Sequence, residues 1–160
     1  MRKRIIFISL IFVLLPLFFL CFFHLIIPYI WLKVDEAFHK GRYDRAIEYL
    51  SFISYIQPKN TESYILKAWL QWSEAKILYL NGLPYKERLT DALKTFRKGQ
   101  KENPKYWRLY FEEGIMWEAF DEKENALKAY YISSKYAPSP YNKIYEIKSE
   151  KFHIKIEDLK

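Results

Sequence analysis

The sequence predicts an all-α protein: one N-terminal transmembrane helix, then a short α-solenoid of about three helical hairpins, then a C-terminal capping helix. Two observations lead to this prediction. The stretch from Ile5 to Leu32 contains no Asp, Glu, Lys or Arg. Through the rest of the chain, apolar residues recur at the spacing of amphipathic helices, and related segments return along the sequence. The 160 residues leave room for one small domain beside the apolar segment.

The N-terminal segment, 1–32, combines a short basic tail, Arg2 to Arg4, with 28 uncharged residues. Because about 20 apolar residues cross a hydrocarbon core of roughly 30 Å, this run is long enough to span a membrane. A cleaved signal peptide is the alternative, but small residues that could form a cleavage site are missing, since the first Ala is Ala37 and the first Gly is Gly41. The basic tail favours a cytoplasmic amino terminus. This predicts a single-pass protein of the cell membrane whose helical domain lies outside the cytoplasm.

The clearest helical hairpin is predicted over residues 107–136. Apolar residues recur at helical spacing on both sides of a turn at Asp121. Pro138 ends the second helix, because proline cannot donate a backbone hydrogen bond. Gly114 and Ala126 are small residues at the positions where the two helices are expected to cross.

This hairpin resembles a tetratricopeptide repeat, whose signature is Trp-x2-Leu-Gly-x2-Tyr in one helix, Ala-x3-Phe in the next, and then Pro. The residues that match at the family spacing are Tyr110, Gly114, Trp117, Ala126, Tyr130 and Pro138. Glu113 departs from the pattern, because the family has leucine there.

Three of these markers recur together in two earlier segments. The alanine, the large residue four positions later and the proline return 34 residues earlier and again a further 46 residues earlier. These sets are Ala92, Phe96 and Pro104, and Ala46, Leu50 and Pro58. The resemblance therefore implies three repeats within a domain over 33–140, at about 28–60, 61–106 and 107–140. The second repeat has 12 extra residues, which are expected to lengthen each of its helices by about one and a half turns.

Residues 141–160 are predicted to form the capping helix and a loosely held tail. Ser139 and Pro140 are typical of a helix start, and apolar residues at helical spacing follow them to about Lys151. A terminal helix with a polar outer face is what the end of a repeat array requires.

Residues with catalytic or metal-binding chemistry are scattered. His24, His39 and His153 do not have the spacing of metal ligands, and Cys21 is the one cysteine of the chain. The four glycines do not form a phosphate-binding loop. We expect no enzyme activity, no cofactor, no metal site and no small-molecule substrate.

The formal net charge is +7, but Lys and Arg alternate with Asp and Glu along the chain, so we expect no nucleic-acid partner. Four basic residues follow the apolar run closely. These residues are Lys33, Lys40, Arg42 and Arg45. Attraction to anionic lipid head groups explains their position next to the apolar run.

The family resemblance implies that the first helix of each repeat lines a concave groove that binds peptides. The predicted partner-binding residues are Trp31, Phe38, Ile65, Trp69, Trp72, Arg108, Phe111 and Ile115. Most are large and apolar, whereas the carboxylate-clamp members of the family have Lys and Asn in such places. Two interpretations remain open: an apolar groove for a partner, or side chains that a short array buries against each other or against the tail.

These observations predict a membrane-anchored adaptor that binds a protein partner through an apolar, aromatic groove, in envelope assembly or in secretion. The alternative is an obligate structural subunit of a membrane protein complex, with no exchangeable peptide ligand.

Overall fold

The described part of the chain is helical and comprises residues 14–16 and 25–154 of the computed structural model. The chain forms two compact units, and the boundary between them lies between Tyr49 and Leu50. Helix α1 covers residues 25–39. The helices that follow are α2 (Tyr43–Ile56), α3 (Thr61–Leu80), α4 (Lys86–Glu102), α5 (Trp107–Ala119), α6 (Lys123–Tyr136), a 3-10 turn (Tyr141–Lys143) and α7 (Ile144–Phe152).

The prediction of a transmembrane helix over Ile5–Leu32 is wrong for the part of the chain that the structure describes. Over residues 14–16 and 25–154, no helix has the length and apolarity needed to cross a bilayer. In α1 the apolar sequence, residues 25–32, is only about 12 Å long at roughly 1.5 Å per residue, and charged residues then continue the same helix. The rest of the predicted span and the basic tail lie outside the described residues. The location of the protein in the cell membrane and its orientation there stay predictions.

In the first unit, α1 buries one face and ends at a glycine. Its buried residues have helical spacing and are Ile27, Ile30, Val34 and Ala37. Gly41 has a φ of 67°, which is the left-handed conformation. The Gly41 N–H donates to the carbonyl of Phe38 at 2.9 Å, and the Arg42 N–H donates to that of Ala37 at 2.9 Å. This pair of bonds is the Schellman arrangement, which satisfies the last carbonyls of a helix.

In the second unit, α3 and α4 form an antiparallel hairpin. Near its open end Gly99 packs against the side chain of Tyr64. Further along, the Thr95 hydroxyl donates to the Gln71 side chain at 2.8 Å. The N-cap of α3 is Asn60, whose side-chain oxygen accepts from the Ser63 N–H at 3.2 Å.

The sequence predicted that the extra residues would lengthen both helices of this hairpin equally, but they do not. Helix α3 has 20 residues against 13 in α5, whereas α4 has 17 against 14 in α6. The first helix therefore takes up most of the extra length.

Helices α5 and α6 form a second antiparallel hairpin with a close contact at Gly114. A Cβ atom at Gly114 would lie 2.5 Å from a ring carbon of Tyr130. The predicted partner of Gly114 was Ala126, but the nearest atoms all belong to Tyr130. One helical turn separates Ala126 from Tyr130, so the closest contact of Gly114 lies one turn further along α6 than the sequence predicted.

The two hairpins pack side by side, with α3 parallel to α5. Near the start of both helices, Arg108 pairs with Glu62 at 2.9 Å. Near their ends, the Lys76 ammonium donates to the carbonyl of Ala119. The shared core comprises Tyr64, Ile65, Ala68, Ala75, Ala92, Phe96, Leu109, Met116 and Phe120. Such packed helical hairpins are compatible with a helical repeat solenoid.

Candidate partner-binding surface

The eight predicted partner-binding residues lie in both units. In the first unit, Trp31 is half-buried on α1 and Phe38 is exposed near its end. The ring of Phe38 meets that of Tyr43 at a centroid distance of 5.9 Å. The other six residues lie on α3 and α5, the two parallel helices of the second unit.

On α3, the predicted residues range from core to solvent. Ile65 is buried in the shared core. Trp69 is 41% exposed, and its ring meets that of Trp72 edge to face at 6.1 Å. Leu66, about one turn before Trp69, is also exposed at 39%. We call the patch formed by Leu66, Trp69 and Trp72 the α3 surface.

Trp72 has an unsatisfied polar atom. Its indole N–H is buried and has no hydrogen-bond partner in the described part of the chain. A buried donor without an acceptor costs about 1–3 kcal/mol, so this N–H lowers the stability of the free protein. Any acceptor that reached the N–H would recover part of this energy.

On α5, the C-terminal segment of the chain covers the predicted face. Tyr141, which begins the 3-10 turn, stacks on Trp107 at 4.9 Å and meets Phe111 edge-on at 6.4 Å. Phe111 also packs against Tyr130 at 5.8 Å. Phe111 and Ile115 are both half-buried. Phe111 owes part of its burial to the contact with Tyr141.

Arg108 takes part in a charge network between the two hairpins. Its guanidinium contacts Glu62 at 2.9 Å and Glu112 at 3.4 Å. The Tyr106 hydroxyl donates to the same Glu62 carboxylate at 3.3 Å. Burial alone would lower the pKa of Arg108, but the two carboxylates outweigh it and raise that pKa. Arg108, which belongs to α5, thus links this helix to α3 through its ion pair with Glu62.

Glu118 fastens α7 to the second hairpin, a role that the sequence analysis missed. Its carboxylate accepts hydrogen bonds from the Tyr130 hydroxyl at 2.9 Å, from Lys151 at 2.9 Å, and from Lys148. Burial would raise the pKa of Glu118, but these three donors together hold it below its ordinary value. The available signal was that Lys148 and Lys151 are three residues apart, which places them on one face of a helix.

Glu113, the residue that departs from the repeat signature, is a buried carboxylate. It accepts hydrogen bonds from Gln100 and from the Trp117 indole at 3.3 Å, and it pairs with Arg97 at 2.9 Å. A buried charge requires such partners. Glu113 therefore joins α4 to α5 through polar contacts in the place where the family has an apolar one.

No protein-family model matches this chain, and no curated protein matches it. The structure by itself establishes packed helical hairpins and no finer family assignment.

Proposed function

We propose that the hairpins are tetratricopeptide repeats and that the protein is an adaptor that binds an apolar segment of a partner protein on its α3 surface. The first support comes from the repeated markers. All the alanines and large residues that recur at the two offsets are fully buried, with 0% exposure: Ala46, Leu50, Ala92, Phe96, Ala126 and Tyr130. Equivalent positions in a repeat array are expected to have equivalent burial.

The turns that precede α3 and α5 support the same assignment. Each has proline in its second position, and the fourth residue donates to the carbonyl of the first: Asn60 to Gln57 at 2.9 Å, and Tyr106 to Asn103 at 3.0 Å. The side chain of Asn103 also donates to the carbonyl of Pro58 at 3.4 Å, so the two turns are neighbours.

The observation that carries the functional proposal is the exposure of Trp69. A tryptophan that is 41% exposed beside an exposed leucine leaves a large apolar area in water on the middle of a core helix. Aromatic anchors of this kind contribute much of the binding energy at protein interfaces. Movement of Trp72 on binding would also give its indole N–H access to a carbonyl of the partner.

The proposal restricts the predicted groove to α3. Tyr141 already packs on Phe111 and Trp107, so the chain itself covers part of the equivalent surface of α5. Arg108 is engaged by two carboxylates. In this proposal, the covered part of α5 and Arg108 lie at the boundary of the partner site and do not bind the partner.

Site-specific photo-crosslinking tests this proposal. A photoreactive phenylalanine analogue at position 69 should give one discrete crosslinked partner in the cells that make the protein. Position 136 is the matched control, because Tyr136 has a similar exposure of 43% but lies at the end of α6. The Leu66→Asp substitution should abolish crosslinking from position 69. Identical products from positions 69 and 136 would refute a partner site on α3.

The second candidate, an obligate structural subunit of a complex, is favoured by the tip of the α3–α4 hairpin. Ile77, Leu80 and Leu83 are all exposed there, with Leu80 at 70%. Large apolar patches usually mark interaction sites. If this candidate is correct, replacing these three residues with serine should release the chain from its complex, and Trp69→Ala should not.

A further inference from the structure

The first unit contains a basic cleft of about 420 Å³ between the end of α1 and the start of α2. Four cationic side chains line it, together with one carboxylate and one phenol: Lys33, Lys40, Arg42, Arg45, Glu36 and Tyr49. Asp35 and Asp44 belong to the same segment but do not line the cleft. Its lining therefore carries an excess of positive charge.

Internal ion pairs hold most of these cations in place. Glu36 accepts from Lys33 at 2.6 Å with one oxygen and from Lys40 at 2.6 Å with the other. Arg45 pairs with Glu48 at 2.8 Å. For Arg42, the described residues provide no ion-pair partner, so its guanidinium is available to a ligand.

We propose that this cleft binds a phosphomonoester group, with Arg42 as the principal contact. A guanidinium offers two parallel donors that fit a phosphate, and lysine ammonium groups add point charges. A carboxylate ligand would also pair with Arg42, but at the two lysines its single negative charge would only equal that of Glu36. A phosphate dianion brings more charge than the Glu36 carboxylate, so it competes for the two lysines while it engages Arg42.

The phosphate can come from a soluble metabolite or from a lipid head group. In both cases the recognised chemistry is a terminal phosphate with two negative charges. A volume of about 420 Å³ lies within the range of small-molecule sites, roughly 300–1,000 Å³, and leaves room for atoms beyond the phosphate itself.

The test uses the full-length chain in neutral detergent micelles at constant ionic strength, with inorganic phosphate as the probe. Saturable changes in the amide chemical shifts of residues 40–45 are expected. The Arg42→Gln variant should bind phosphate about tenfold more weakly, which is typical for loss of one hydrogen bond to a charged group. The matched control is Lys105→Gln, because Lys105 is exposed in the turn after α4 and outside the cleft.

The same titration distinguishes the two sources. If phosphatidic acid in the micelles displaces inorganic phosphate and phosphatidylcholine does not, the ligand is a lipid head group. If inorganic phosphate binds and phosphatidic acid does not displace it, the ligand is a soluble phosphomonoester. Shifts that do not saturate, or an equal loss of affinity in Arg42→Gln and Lys105→Gln, would overturn the proposal and leave only surface ion pairs.

Discussion

Gly114 packs closely against ring carbons of Tyr130, and both residues are buried. Burial and the neighbouring Glu118 carboxylate raise the pKa of the Tyr130 hydroxyl, which keeps it protonated as a donor to Glu118. The ring therefore has little freedom to move away from α5. A side chain at position 114 must displace either this ring or the helix.

Gly114→Leu should accordingly lower the free energy of unfolding by about 1–3 kcal/mol through overpacking. Chemical denaturation followed by circular dichroism measures this. Lys128→Ala, an exposed position on α6, is the control and should change the free energy by less than about 0.5 kcal/mol. Equal stability of the Gly114→Leu variant and the wild type would mean that α5 and α6 do not cross here.

Glu36 is a second residue with a specific expectation. Hydrogen bonds from Lys33 and Lys40 lower its pKa from an ordinary value of 4.5 to about 2. Because the pKa is lowered in the folded state, the stabilisation by these ion pairs is present above about pH 4.5 and is lost as the pH falls through about 2.

An NMR titration of the Glu36 side-chain carboxyl measures this pKa directly. The double variant Lys33→Gln, Lys40→Gln should return it towards 4.5, because both donors are removed. A midpoint near the ordinary value in the wild type would show that the two lysines do not hold this carboxylate.

At the level of helices, periodicity and punctuation predicted the second hairpin well. The predicted helices over residues 107–136 correspond to α5 and α6, since Pro138 and the turn at Asp121 limit them. Helix α3 begins at Thr61, and the residue before it, Asn60, is its cap. Asparagine and threonine both cap helices, and only the geometry of the Gln57–Asn60 turn decides between them.

The packing of the C-terminal segment could not be predicted from the sequence. No local pattern around Tyr141 predicts that its ring stacks on Trp107, because the contact joins residues that are distant in the chain. The predicted face of α5 was therefore assigned to a partner when the chain itself covers part of it. Trp69 shares the same spacing argument, yet its side chain remains 41% exposed.

The attachment of α7 should depend on the two lysines that bind Glu118. Replacing Lys148 and Lys151 with glutamine should accelerate amide hydrogen exchange over residues 144–152 by about fivefold, since partly exposed pairs contribute up to about 1 kcal/mol. Lys143→Gln is the control, because Lys143 is exposed and makes no ion pair among the described residues. Unchanged exchange in the double variant would show that apolar contacts alone hold α7.

At the scale of the whole molecule, the recurring markers predicted which residues are buried but not which of the remaining apolar side chains stay exposed. Alanine and a large residue four positions later define the contact between two helices wherever they recur, so their burial follows from helical geometry. The exposure of Trp69 depends on which elements end near α3, and no local pattern records that. The long apolar run did not suffice to establish a membrane span, because no helix over residues 14–16 and 25–154 combines the required length and apolarity.

We propose that Trp69 binds a partner and does not support the fold. The most direct measurement is the affinity of the purified chain for the partner identified by crosslinking, compared between wild type and Trp69→Ala. The affinity should fall by about 2 kcal/mol, as for an aromatic anchor. The free energy of unfolding should change by much less than the roughly 3–5 kcal/mol expected for a buried tryptophan. An unchanged affinity, or a loss of stability of that larger size, would contradict the account.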